Sequence, residues 1–183
     1  MIARAFFAME KYEAFLYENR EVLRVRISLP CVAQAAEIGA FYKEIGEGAY
    51  RFCAEKLAPY ARAVYEKDPD PRKHVRFAPF RYRLWGNIRY QSENVLSVHV
   101  EATLSRDGEG RAICRFFDAH NFSIPDGLLL SPRDALSLYT GEPISKRQVK
   151  GVKSLLLSDR APMQKKNGAW EIFPWQAENQ KQP

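Results

Sequence analysis

The chemistry-bearing residues of this chain are few and scattered. Asp118 and His120 lie two apart in a run, Ala112 to Phe122, that reads as a strand, so both side chains are expected on one face. A carboxylate beside an imidazole can begin an acid–base or metal site. No third ligand stands nearby in sequence, so an ordinary hydrogen-bonded pair at a strand end is the favoured explanation of the two residues. Cys114 shares their face by parity and is expected to be buried. Cys31, Cys53 and Cys114 are widely spaced, odd in number and form no CxxC pair, so they read as buried reduced thiols. His74 and His99 are distant from His120 in sequence. No GxGxxG, GxxxxGK[ST], HExxH or GxSxG motif occurs. Asp126 and Asp134 fit turn and helix-cap roles. No catalytic residue, metal ligand or cofactor is assigned, and the reading points away from an enzyme. A small hydrolase using Asp118 and His120 is the alternative.

Binding chemistry is better represented. The chain of 183 residues has a formal net charge of +6, and 46% of it is apolar. Residues 67–92 hold seven basic and two acidic groups, and residues 146–166 hold seven basic and one acidic. Residues 93–145 reverse the sign, with four basic and eight acidic groups. In the first basic segment Phe80, Tyr82, Leu84, Ile88 and Tyr90 alternate with Arg81, Arg83, Trp85 and Arg89. A strand with that alternation buries the first set and presents the second. Upstream, Leu23, Val25, Ile27 and Leu29 alternate with Arg24, Arg26 and Ser28 in the same way. If the strands share a sheet, Arg24, Arg26, Arg81, Arg83, Trp85 and Arg89 form one basic outer face, with His99, Glu101 and Arg115 nearby. Trp85 among guanidiniums permits cation–π stacking. An acidic ligand or an unidentified protein partner is the matching occupant. A solvated outer face covered by Arg stems is the plainer reading. Weak binding of nucleic acid or another polyanion is a further alternative. It is not the expected partner, because no helix-turn-helix, zinc finger or RNP pattern is present.

The elements that must position these residues follow from periodicity. Residues 12–18 and 22–29 read as strands around a Glu18–Glu21 turn, and Pro30 stops the second. From Ala33 to Tyr65 apolar residues recur at steps of three and four, the mark of one long amphipathic helix, which Pro59 kinks or restarts. Asp68 to Arg72 is a loop. Strands near 80–90, 96–104 and 112–122 are joined by short turns and read as an antiparallel meander. Ser131 caps a short helix, Arg133 to Leu138, and Ser145 is expected to cap a second running to about Ser158. Ala169 to Phe173 reads as a last strand. The expected fold is α+β: a long amphipathic helix packed on an antiparallel meander sheet, with a smaller helical C-terminal part. It forms one domain, 1–183, divisible into lobes 1–92 and 93–175, with a polar tail at 176–183. No stretch is apolar enough to span a membrane, and no secretory signal is read at the N-terminus, so the expected compartment is the cytoplasm.

The run Asn121-Phe122-Ser123-Ile124-Pro125-Asp126-Gly127-Leu128-Leu129-Leu130-Ser131-Pro132-Arg133-Asp134 resembles the strand–turn–helix motif NFDLKTGKxLTLxDLF of the RsiV-like domain family of bacteria. Gly127, Leu130, Ser131 and Asp134 fall in register with it. Arg26-Ile27-Ser28-Leu29-Pro30 resembles the YPxI strand end that precedes a long helix in the associated N-terminal module, which also occurs ahead of peptidoglycan deacetylase domains. Asn94-Val95-Leu96-Ser97-Val98 resembles the family's xxLSV central strand. Ser123 stands where the family has Asp, and Pro132 where it has an aliphatic residue. Trp170 to Trp175 replaces the closing PYExxxYxxG segment. The resemblance implies a binding or sensing module of envelope or stress regulation, mostly extracellular in that family, and no catalysis. The anti-sigma member binds lysozyme, a basic protein. This chain is basic too, so long-range attraction to that partner is missing.

Overall fold

The computed structural model describes residues 6–32 and 35–174. The expected polar tail, Trp175 and the expected helix start at Ala33 lie outside the described residues. The fold is α+β, with a five-stranded sheet in the order β1-β2-β3-β4-β5. These strands are β1 (Phe6–Tyr17), β2 (Arg20–Cys31), β3 (Phe80–Gln91), β4 (Val95–Arg106) and β5 (Ala112–Ser123). Two compact units are present, 1–87 with 100–117 and 88–99 with 118–183.

In the first unit β1 and β2 form an antiparallel hairpin through a two-residue turn, in which Glu18 and Asn19 take φ of 47° and 59°. Both central residues at positive φ match the turn to the twist of the strands. After β2 come α1 (Ala36–Phe52), a π-helical segment (Cys53–Leu57), α2 (Ala58–Lys67) and a single turn, α3 (Lys73–Arg76). This helical crossover returns the chain so that β3 runs parallel to β2, which the expected all-antiparallel meander did not include. The expected meander is β3, β4 and β5, neighbours joined by residues 92–94 and 107–111. The long helix is therefore not one continuous α-helix. Pro59 lacks an N–H and would clash with a carbonyl one turn back. The π segment relieves this, with the Ala58 N–H reaching back five residues to the Cys53 carbonyl. The core of this unit is the inner face of β2 (Leu23, Val25, Ile27, Leu29) under Ile38, Tyr42, Cys53, Ala61 and Tyr65 of the helices, all of them buried.

The second unit packs Val95, Ala135, Leu136, Ile144, Leu155, Leu157 and Phe173 around Tyr90, Leu130 and Tyr139. Its helix α4 (Pro132–Thr140) starts where expected: the Asp134 N–H donates to Ser131 Oγ at 3.2 Å, and Gly141 ends the helix at φ 74°. The second expected helix, 145–158, does not form. Residues 146–151 are successive turns, and Gly151 at φ 80° stops helical propagation. Leu155 and Leu156 instead form β6 (Leu155–Leu156), paired with β7 (Met163–Lys166), which pairs in turn with β8 (Ala169–Ile172). The β7–β8 hairpin carries an Asn167–Gly168 turn with both φ positive (49° and 77°), the dipeptide that favours a tight hairpin.

Candidate functional site

The parallel pairing of β2 with β3 sets Arg24 opposite Arg81, Arg26 opposite Arg83 and Ser28 opposite Trp85. Neighbouring strands lie about 4.8 Å apart, so two guanidinium pairs face each other on one surface of the first unit. Like charges at that spacing destabilise a sheet unless something answers them. The two pairs are answered differently. Arg24 forms an ion pair with Glu21 at 2.7 Å, and that contact holds the Arg24 pKa above its ordinary value. Arg81 meets Asp107 at 2.5 Å. Arg26 and Arg83 are exposed, and neither has a carboxylate within ion-pair distance among the described residues. The Arg83 guanidinium lies 5.2 Å from the Trp85 ring. On the other side of Arg26 its β1 neighbour is Tyr12, which is 64% exposed.

Arg26, Ser28, Arg83, Leu84 and Trp85 line a depression of about 160 Å³. At about 30 Å³ per water, it holds roughly five waters or one small anionic group. A second depression of about 260 Å³ lies at the Arg24 end of the ladder, where Arg20, Lys73 and His74 face Glu21 and Asp107. That hollow brings its own counter-charges. Sequence reasoning missed Lys73 and His74, since a single helical turn after a Pro-rich loop leaves no periodic signal. His74 Nδ1 lies 2.7 Å from the Tyr65 hydroxyl.

Arg89 is separate from the other five residues. It belongs to the second unit and lines a depression of about 740 Å³ with Ser158, Asp159, Arg160, Met163 and Ile172. The residues expected beside the basic face also differ in setting. Glu101 is buried and bonded to Arg115, so that pair is internally neutralised. In the second unit His99 packs edge-on against Trp170, with ring centroids 5.9 Å apart, and the Leu157 N–H donates to the buried Ser97 hydroxyl at 3.0 Å. The sheet face there is covered rather than open.

Asp118 and His120 do share a setting, but a distant residue joins them. The buried Ser154 hydroxyl donates to Asp118 and accepts from the Ala119 N–H at 3.1 Å. The Ala119 N–H also lies 2.9 Å from Asp118 Oδ1. Burial pushes the His120 pKa below its ordinary value, and the Asp118 charge opposes that. The serine proton is thus held by a carboxylate, which ties β5 to the start of β6. Among the described residues no group of three His, Cys, Asp or Glu side chains is placed to hold a metal ion. Cys53 is buried as expected, and burial raises its thiol to about 12. Cys114, expected to be buried, is exposed, because residues 112–116 of β5 form the outer edge of the sheet.

No protein-family model matches the chain, and no curated protein is significantly similar to it. Among solved structures it is similar to a DUF3298 family protein from Pseudomonas aeruginosa PAO1, with 13% identity and a TM-score of 0.45 over 87% of this chain and 79% of that one. It is also similar to a DUF3298 family member from Bacteroides fragilis NCTC 9343, with 9% identity and a TM-score of 0.45 over 88% of this chain and 83% of that one. At these values neither likeness assigns the chain to a family. No described helix is long and apolar enough to cross a membrane.

Proposed function

We propose that the chain is a non-enzymatic binding module whose first unit takes an anionic ligand or an acidic protein partner on the outer face of β2 and β3. The observation that carries this reading is the Arg26–Arg83 pair. Two guanidiniums are held side by side with no carboxylate partner among the described residues, next to Trp85 and over a depression of about 160 Å³. An arriving carboxylate or phosphate accepts from both forks and relieves their mutual repulsion. The neighbouring Arg24–Arg81 pair is the internal contrast, since Glu21 and Asp107 already answer it. The resemblance of residues 121–134 to RsiV-like domains supports a sensing role in envelope or stress regulation. Three free cysteines, one of them exposed, fit a reducing compartment such as the cytoplasm.

The test uses poly-L-glutamate as the acidic probe, followed by fluorescence anisotropy of the labelled polymer at low salt. Arg26→Glu with Arg83→Glu is expected to weaken binding at least tenfold. Lys146→Glu with Lys150→Glu, in the second unit, is expected to change it less than twofold. Equal loss in both double variants reduces the effect to net charge and ends the assignment to this face.

A further inference from the structure

The backbone of β5 is treated differently along its length. In its second half the outer edge is occupied by the chain itself. The Ala119 N–H meets Ser154 Oγ, the Asn121 carbonyl accepts from the Leu130 N–H at 2.7 Å, and the Ser123 N–H donates to the Leu128 carbonyl at 2.9 Å. Odd-numbered residues therefore direct their backbone groups away from β4. By the two-residue period of a strand, Ile113 and Arg115 do the same in the first half. There, no strand, turn or side chain among the described residues meets them. Residues 112–116 are all exposed, with Ile113 at 54% and Phe116 at 56%.

Sheet edges are ordinarily blunted by charges, proline or bulges. The opposite edge strand, β1, has all but the proline: Glu10, Lys11 and Glu13 lie along it, and its register shifts twice. The first half of β5 holds no proline and a single charge. Its one internal charge, Arg115, is answered by Glu101 of the same chain.

We propose that this free half-edge pairs with the same segment of a second copy of the chain, antiparallel and centred on Cys114. The register follows from hydrogen-bond direction and charge. An outward-directed residue pairs only with another outward-directed residue, so the sum of paired numbers is even. Centring on Ile113 sets Arg111 opposite Arg115, and centring on Arg115 sets Arg115 opposite itself, a like-charge contact in each case. Centring on Phe116 requires the edge at Ala119, which Ser154 already occupies. Centring on Cys114 sets Ile113 opposite Arg115 as a hydrogen-bonded pair, Ala112 opposite Phe116 as small against large, and Arg111 opposite the Phe117 ring. The contact is isologous, as a two-fold dimer requires. Cys114 then faces Cys114 at a non-hydrogen-bonded position, with Cα atoms about 4.5 Å apart. That spacing falls within the span of about 4.4–6.8 Å that a disulfide bridges.

The experiment uses the full chain. Sedimentation is expected to show a concentration-dependent monomer–dimer equilibrium for the wild type and a monomer for Ile113→Lys, which sets a second cation against Arg115. Circular dichroism confirms that this exposed substitution leaves the fold intact. Diamide, which takes up two electrons and two protons as two thiols become a disulfide, is expected to trap a covalent dimer. Cys114→Ser should abolish the trapped species, and Cys31→Ser should not. A wild type that stays monomeric to its solubility limit overturns the proposal. So does a dimer that survives Ile113→Lys, or a crosslink that persists without Cys114.

Discussion

At the scale of single residues, Ser154 ties Asp118 to the Ala119 N–H in the second unit, and the Asp118 charge acts on the half-buried His120 ring. Parity alone placed Asp118 and His120 on one side of a strand. Nothing in the sequence pointed to Ser154, because a contact between β5 and a residue 36 positions later has no local periodicity. Two consequences are measurable. Burial lowers the His120 pKa in the folded state, so the unfolded chain binds more protons as acid is added. Its contribution is fully present above the unfolded value near 6.5 and is lost as the pH falls toward the folded one. Urea midpoints measured at pH 7.5 and pH 5.5 are expected to fall with acid in the wild type and to fall less in His120→Gln. Ser154→Ala removes the donor to Asp118 and the acceptor for the Ala119 N–H, and is expected to cost about 1–3 kcal/mol in the same assay. Catalytic use of the cluster would show instead as retained stability with lost turnover of an ester or peptide probe.

At the scale of elements, β2, β3, β4 and β5 were legible to within two residues at each end, because alternation with period two marks them, whereas β1 begins six residues before the expected strand and β6 and β7 were not read as strands. The amphipathic stripe also located the helices. Its interruption was legible only as a proline, since whether a chain kinks, restarts or widens to a π turn depends on packing around it. By propensity alone each glycine of α1 weakens the helix, and the structure separates them. A side chain at Gly46 would collide with Met9 and press on Leu29, so the glycine is what lets the helix approach the sheet. A side chain at Gly48 would meet nothing within 4 Å. Gly46→Val is therefore expected to destabilise the protein by about 1–3 kcal/mol through overpacking. Gly48→Ala is expected to stabilise it by about 0.5–1 kcal/mol through helix propensity. Thermal or urea midpoints of the two variants should move in opposite directions. A common direction would mean that packing against β1 does not set the requirement at Gly46.

At the scale of the whole molecule, the charge of +6 resolves into groups with different duties. Arg24, Arg81 and Arg115 are spoken for by Glu21, Asp107 and Glu101, whereas Arg26 and Arg83 are not. The sequence displayed all of these arginines as one face, because alternation reports which side a residue takes and not which partner it finds. The same net charge gives the two proposed contacts opposite responses to salt. An anion held by Arg26 and Arg83 is bound by attraction between exposed charges, so its affinity falls as ionic strength rises and the Debye length shortens from about 30 Å at 0.01 M to about 8 Å at 0.15 M. Two copies of a +6 chain repel one another at long range, while the β5 contact itself is made of backbone hydrogen bonds and apolar side chains. Self-association is therefore expected to tighten over the same salt range, as poly-L-glutamate binding weakens. Sedimentation and anisotropy run in parallel at several salt concentrations separate the two contacts. If both weaken together, self-association rests on the arginine face rather than on the free edge of β5.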